Sequence, residues 1–72
     1  MSNSENIARE ALREAKKAVG TVKLAQGLGI RSQAVSGWYM VPPRRVLDVE
    51  RLSGVPRWRL RPDLYPSPEA AA

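Results

Sequence analysis

The side chains best placed to do chemistry in this chain fall between positions 21 and 45, and their chemistry is hydrogen bonding, not catalysis. Gln33 carries an amide that donates and accepts at once, the pattern needed to engage N6 and N7 of adenine. Ser32 and Ser36 bring hydroxyls suited to either base type, and Ala34 brings a methyl suited to thymine. Arg31 reaches either a guanine edge or a phosphate. Arg44 and Arg45 follow Pro43 at the expected start of a helix, where the helix dipole disfavours cations. They are read either as holding a phosphate between the helix start and their guanidinium groups or as a solvated surface. Enzyme chemistry finds little support. The 72 residues contain no His and no Cys, which removes the usual zinc sites, disulfides and Cys/His nucleophile pairs. The seven carboxylates fall mostly at helix-surface spacing. A non-enzyme without metal or cofactor is expected.

These side chains need elements to position them. Ile7, Ala8, Ala11, Leu12, Ala15 and Val19 recur at helical spacing after Ser4, a suitable N-cap, and Gly20 ends this first helix. Glu5 with Arg9, Glu10 with Arg13 and Glu14 with Lys17 are spaced to pair along its exposed side. Thr21 is placed as the cap of a second helix, Val22–Leu28, ended by Gly29. Ser32 is placed as the cap of a third, running from Gln33 to about Tyr39. Pro43 opens a fourth, Pro43–Ser53, with Val46, Leu47, Val49 and Leu52 before Gly54. A short turn carrying Trp58 and Leu60 follows, then an extended RPDLYPSP segment. No stretch alternates as a strand does, so an all-α domain of four to five short helices is expected.

Residues 21–40 meet the demands of a helix-turn-helix, two helices crossing at about 90–120° through a turn of three or four residues. Ala25 is small where the helices cross, Gly29 tolerates a left-handed turn, and Ile30 packs beneath it. Leu24 and Leu28 complete the inner face of the second helix; Val35 and Trp38 complete that of the third. The plainer alternative is an αα-hairpin in a small bundle, with Gly29 only a helix stop and Trp38 only core. The polar, small outer face of Ser32, Gln33, Ser36 and Gly37 packs a core poorly and suits a groove. Gly37 and Gly27 each cost about 1 kcal/mol of helix stability against Ala. Close backbone approach to DNA or tolerated looseness would each account for Gly37.

With these residues in view, the chain is similar to the Cro-like helix-turn-helix proteins of bacteria and their phages. More narrowly it resembles the YdaS-type family, described as antitoxins and Cro-like repressors. The resemblance runs from about Ala15 to Pro66, through LAQGLGIRSQAVSGW, VPPRR, VERLSGV and LRPDLYP. It implies a small all-helical DNA-binding domain of the Cro/repressor type, dimeric on operator DNA. It also implies base reading by Ser32, Gln33 and Ser36, and phosphate contact near Thr21. Two positions depart from the pattern: Arg44 stands where an acidic residue is expected, and Gln26–Gly27 replaces an Ala-rich interior.

Length and charge agree with this reading. A chain of this size forms one domain that buries only about 60% of its unfolded surface. Residues 1–65 are assigned to it, and 66–72 to a disordered tail with too little to bury. Twelve Lys and Arg oppose seven Asp and Glu for a net charge of +5. Ten of those cations lie in residues 16–61 against only Asp48 and Glu50. A basic block between acidic ends suits a polyanion partner. Base-reading candidates are Arg31, Ser32, Gln33, Ser36 and Gly37. Phosphate candidates are Thr21, Lys23, Tyr39, Arg44 and Arg45. Tyr39 is also read as packing under the following loop. Arg57, Arg59 and Arg61 are assigned mainly to structure, one of them pairing with Glu50 or Asp63. The function expected is transcriptional regulation by a homodimer on an operator. The alternative is an antitoxin or interaction protein engaging a toxin through the Trp58–Tyr65 region. No apolar run approaches the roughly 18 residues of a membrane span, and MSNSEN lacks a signal-peptide order, so a soluble cytoplasmic protein is expected.

Overall fold

A long helix, α1 (Asn3–Val19), forms the floor of the domain in the computed structural model, which describes residues 3–68. After α1 come α2 (Thr21–Leu28), α3 (Ser32–Ser36), a 3-10 turn at Pro43–Arg45, α4 (Val46–Ser53) and α5 (Arg57–Leu60). Among the described residues there is no strand, and no helix long and apolar enough to cross a membrane. The chain folds as an all-α helix-turn-helix domain.

The apolar face of α1 is narrow and built from small residues. Ala8, Ala11 and Ala15 are fully buried, with Leu12 beside them. With so little side chain in the way, α2, α4 and α5 all lie against this one helix. Leu24, Val35, Val41, Val46, Val49 and Leu60 fill the centre. Ile30, Trp38, Leu52 and Tyr65 pack around it, only partly buried. Fully burying a Leu or Val contributes about 1.5–3 kcal/mol, so these few side chains carry most of the stability of an 8.0 kDa chain.

Several boundaries differ from the sequence expectation. Asn3 already belongs to α1, so Ser4 lies inside the helix and does not cap it. The caps of α2 and α3 fall on Gly20 and Arg31; Thr21 and Ser32 are each the first helical residue, with no side-chain cap bond. The third helix is five residues long and does not run on to Tyr39. Gly37 ends it, its N–H donating to the Gln33 carbonyl at 3.0 Å, and the Trp38 N–H donates to Val35 at 3.2 Å. A glycine next to a large apolar side chain that must turn inward favours stopping over continuing. The expected Pro43–Ser53 helix is divided, because Pro43 opens a 3-10 turn before α4 begins at Val46. The turn around Trp58 is a helix, α5. Of the expected disordered tail, residues 69–72 lie outside the described residues, while Pro66, Ser67 and Pro68 are placed.

The intrahelical ion pairs expected on α1 do not form. Glu14 instead holds Arg59 through two hydrogen bonds, one of them 2.9 Å long, fastening α5 to α1. Glu5 accepts the hydroxyl hydrogen of Tyr39. Exposed i,i+4 pairs contribute only about 0.2–0.5 kcal/mol, which a forked guanidinium bond supported by packing outcompetes.

Candidate nucleic-acid interface

The helix-turn-helix is assembled from a turn that only glycine fits easily. Gly29 has φ 71°, ψ 29°, the left-handed conformation. There its N–H donates to the Gln26 carbonyl at 3.2 Å, and the Ile30 N–H donates to Ala25 at 3.0 Å. Both bonds close the C-terminus of α2 on itself. The chain then leaves at an angle that lays α3 against α2, with Leu24, Ala25, Leu28 and Val35 buried between them. Arg45 secures the same corner from outside, donating from Nη1 to the Leu28 carbonyl at 3.3 Å.

The outward side of this pair carries the polar residues. Arg31, Gln33, Ala34, Ser36 and Gly37 are exposed and Ser32 is half-buried. Lys23 on α2 and Arg44 in the 3-10 turn are also exposed, and Thr21 is half-buried at the start of α2. Not every expected contact residue is equally free. Tyr39 is 54% exposed, yet its hydroxyl is bonded to Glu5 and its ring lies 4.4 Å beneath the Arg9 guanidinium. The hydrogen bond to Glu5, reinforced by desolvation, holds the Tyr39 phenol above its ordinary pKa. Arg45 has one guanidinium nitrogen committed to α2. Both therefore brace the segments flanking α3.

Charge pairing is segregated. Arg51 pairs with Asp48 at 3.1 Å, Arg57 with Glu50 at 3.2 Å, and Arg61 with Asp63 at 2.8 Å; Arg59 pairs with Glu14. Two of the three arginines assigned to structure thus find Glu50 and Asp63, and the third finds an acid far away in sequence. Arg61 also donates to the Val41 carbonyl at 3.0 Å, so the RPD stretch fastens the chain end to the loop before Pro42. The hydrogen bond from Arg59 lowers the Glu14 pKa, and that from Arg61 lowers the Asp63 pKa. Among the described residues, none of Arg9, Arg13, Lys16, Lys17, Lys23, Arg31, Arg44 and Arg45 is in an ion pair. The positive charge left over is carried by α1, the helix-turn-helix and the 3-10 turn.

Sequence reasoning missed Arg9, Arg13 and Lys16. With Leu12, Trp38 and Tyr39 they line an open cleft of about 200 Å³ between α1 and the chain leaving α3. Their four- and three-residue spacing on one helix face was the available signal. Acidic neighbours in sequence masked it.

A family model described as bacterial toxin YdaS matches residues 7–69. The chain belongs to this family, which is Cro-like and helix-turn-helix in architecture. Searches of characterised proteins and of solved structures return no match. The YdaS family match spans every helix except the first turn of α1, so the whole packed unit falls within it. Among the described residues no group of His, Cys, Asp and Glu is arranged to hold a metal ion.

Proposed function

We propose that this YdaS-family chain is a sequence-specific DNA-binding transcription regulator, a Cro-like repressor, that presents α3 to the major groove. The observation that carries the reading is the outer face of the α2–α3 pair: small and polar at Arg31, Ser32, Gln33 and Ser36, and bordered by cations without ion pairs at Lys23 and Arg44. Recognition helices make base contacts from their N-terminal residues, so a five-residue α3 keeps the part that reads. At 1.5 Å per residue it is about 7.5 Å long, which limits direct reading to a few base pairs per copy. Gly37, with no side chain, lets the backbone at the end of α3 approach the groove closely. Thr21, Lys23 and Arg44 anchor the backbone, while Tyr39 and Arg45 brace the elements around them.

Such a short reading surface favours two copies. Half-sites one turn of duplex apart call for α3 helices about 34 Å apart in the dimer, a spacing on the scale of a molecule measuring 36 × 25 × 20 Å. A homodimer on a near-palindromic operator, covering a promoter in the cytoplasm, follows as the repressor model. The test is a footprint on the DNA upstream of its own coding region, with mass from light scattering. Gln33→Ala should cost about 1–3 kcal/mol at particular base pairs, and Arg44→Ala should weaken all sequences alike. Identical behaviour of the two variants in a competition shift assay would refute the division into reading and anchoring. Salt-independent affinity would refute the DNA reading itself.

A second reading, a toxin–antitoxin interaction protein, is favoured by the family description and by Leu64, 45% exposed beside the half-buried Tyr65. Deleting everything after Gly54 would remove the fully buried Leu60 and test folding instead. Leu64→Ser is the cleaner probe, expected to abolish co-purification with a neighbouring-gene product while sparing DNA binding.

A further inference from the structure

The cleft on α1 has a composition that the helix-turn-helix does not require. Arg9, Arg13 and Lys16 follow one another along a single helix face, and Trp38 and Tyr39 form the opposite wall. Arg9 is held over the Tyr39 ring at 4.4 Å. Arg13 and Lys16 have no ion-pair partner among the described residues. Two of the nearby carboxylates are engaged, Glu5 accepting from Tyr39 and Glu14 holding Arg59, while Glu10, one turn before Arg13, forms no ion pair with it. Three cations converging on an open, half-aromatic cleft, with Glu5 and Glu14 engaged elsewhere, suit an anion, and the aromatic wall suits a sugar or a ring beside it.

The position of the cleft selects the anion. Trp38 lies two residues beyond the last residue of α3, so the cleft wall begins at most about 7 Å along the chain from that helix. Building on the DNA-reading role proposed above, we infer that this cleft grips a backbone phosphate of the bound duplex, beyond the base pairs facing α3. It is separate from the anchors at Thr21, Lys23 and Arg44. Arg13 and Lys16 neutralise the phosphate. Arg9 and Tyr39 shape the entrance, and the Tyr39 hydroxyl engages the Glu5 carboxylate.

The test uses the full chain and a duplex selected by it from random sequence, comparing wild type, Arg13→Gln/Lys16→Gln and Gln33→Ala. The double variant keeps helix-forming side chains and leaves the Arg9–Tyr39 contact in place. It should melt as wild type does and retain the same base preference. Its plot of log affinity against log salt should be shallower by about 1, since one lost phosphate contact removes about 0.9 from the slope. Ethylation interference on wild type should show flanking phosphates that the double variant no longer senses, while Gln33→Ala leaves them unchanged. A wild-type slope and interference pattern in the double variant, with Gln33→Ala still altering base preference, overturns the cleft assignment and spares the DNA reading. Failure of wild type to select any duplex, or a preference for single-stranded RNA, overturns both.

Discussion

Single side chains in this domain hold positions that their sequence neighbours do not explain. Gly27 interrupts α2 at a cost of about 1 kcal/mol against Ala, which from sequence is only a penalty. In the fold its missing Cβ is where α4 arrives: a Cβ built there would lie 2.8 and 3.0 Å from the two Leu52 methyls. Gly27→Ala should therefore be nearly neutral, its helix gain offset by displacement of a leucine tip that can give way. Gly27→Leu should lose about 1–3 kcal/mol to overpacking, read from urea denaturation. Gly29 behaves differently because open space surrounds it and only its positive φ constrains it. Gly29→Ala should cost about 1–2 kcal/mol, the strain of a left-handed L-residue, with no relief from repacking. Gly29 is legible in sequence because a turn needs it. Gly27 is not, because its reason lies twenty-five residues away.

Elements were legible where periodicity set them and obscure where tertiary contacts did. The apolar spacing of α1, α2 and α4 appears directly in the sequence, as does the small residue at the α2–α3 crossing. The end of α3 does not: the pattern Val35, Trp38 continues at helical spacing, yet Trp38 turns inward only after Gly37 has stopped the helix. Arg59 likewise reads as one of three alternating arginines, and nothing local points to Glu14. The candidate interface divides the same way. Its exposed polar face was visible as composition, whereas the α1 cleft depends on the path of the chain after α3. For α5 the magnitudes also decide what holds it. Arg59 and Glu14 are exposed, with side chains 39% and 45% accessible, so solvent screens their attraction. Leu60 is fully buried, and Leu60→Ala should cost about 2–5 kcal/mol. In a small domain of marginal stability that is enough to lose cooperative melting. Arg59→Gln should lower the melting temperature far less, and calorimetry on both variants separates packing from pairing.

Across the whole molecule, the acids that neutralise the C-terminal arginines also make the fold sensitive to acid. Glu14 and Asp63 have folded pKa values below their ordinary ones, chiefly because Arg59 and Arg61 donate hydrogen bonds to them. A lowered folded pKa means that the unfolded chain binds the proton more readily. The stabilisation is present above the unfolded carboxylate values, near about 4, and disappears as pH falls through the folded ones. Tyr39 has the opposite sign. Its raised pKa gives stabilisation that is intact below about 10 and lost as pH rises through the folded value. Acidification also removes negative charge everywhere, taking the net charge from +5 toward +12 as seven carboxylates protonate. For the DNA-binding role proposed above the two consequences oppose each other, because repulsion and lost pairs weaken the fold while attraction to phosphate grows. Acid melts followed by circular dichroism should therefore show a stability decline that begins near pH 4 and flattens in Glu14→Gln/Asp63→Asn. The same substitutions should leave the alkaline decline unchanged, and Tyr39→Phe should remove that decline while leaving the acid one. A double variant with the wild-type acid profile would mean that the Arg59–Glu14 and Arg61–Asp63 bonds contribute nothing to the folded state, leaving α5 and the segment after it to Leu60, Tyr65, the Arg57–Glu50 pair and the Arg61 bond to the Val41 carbonyl.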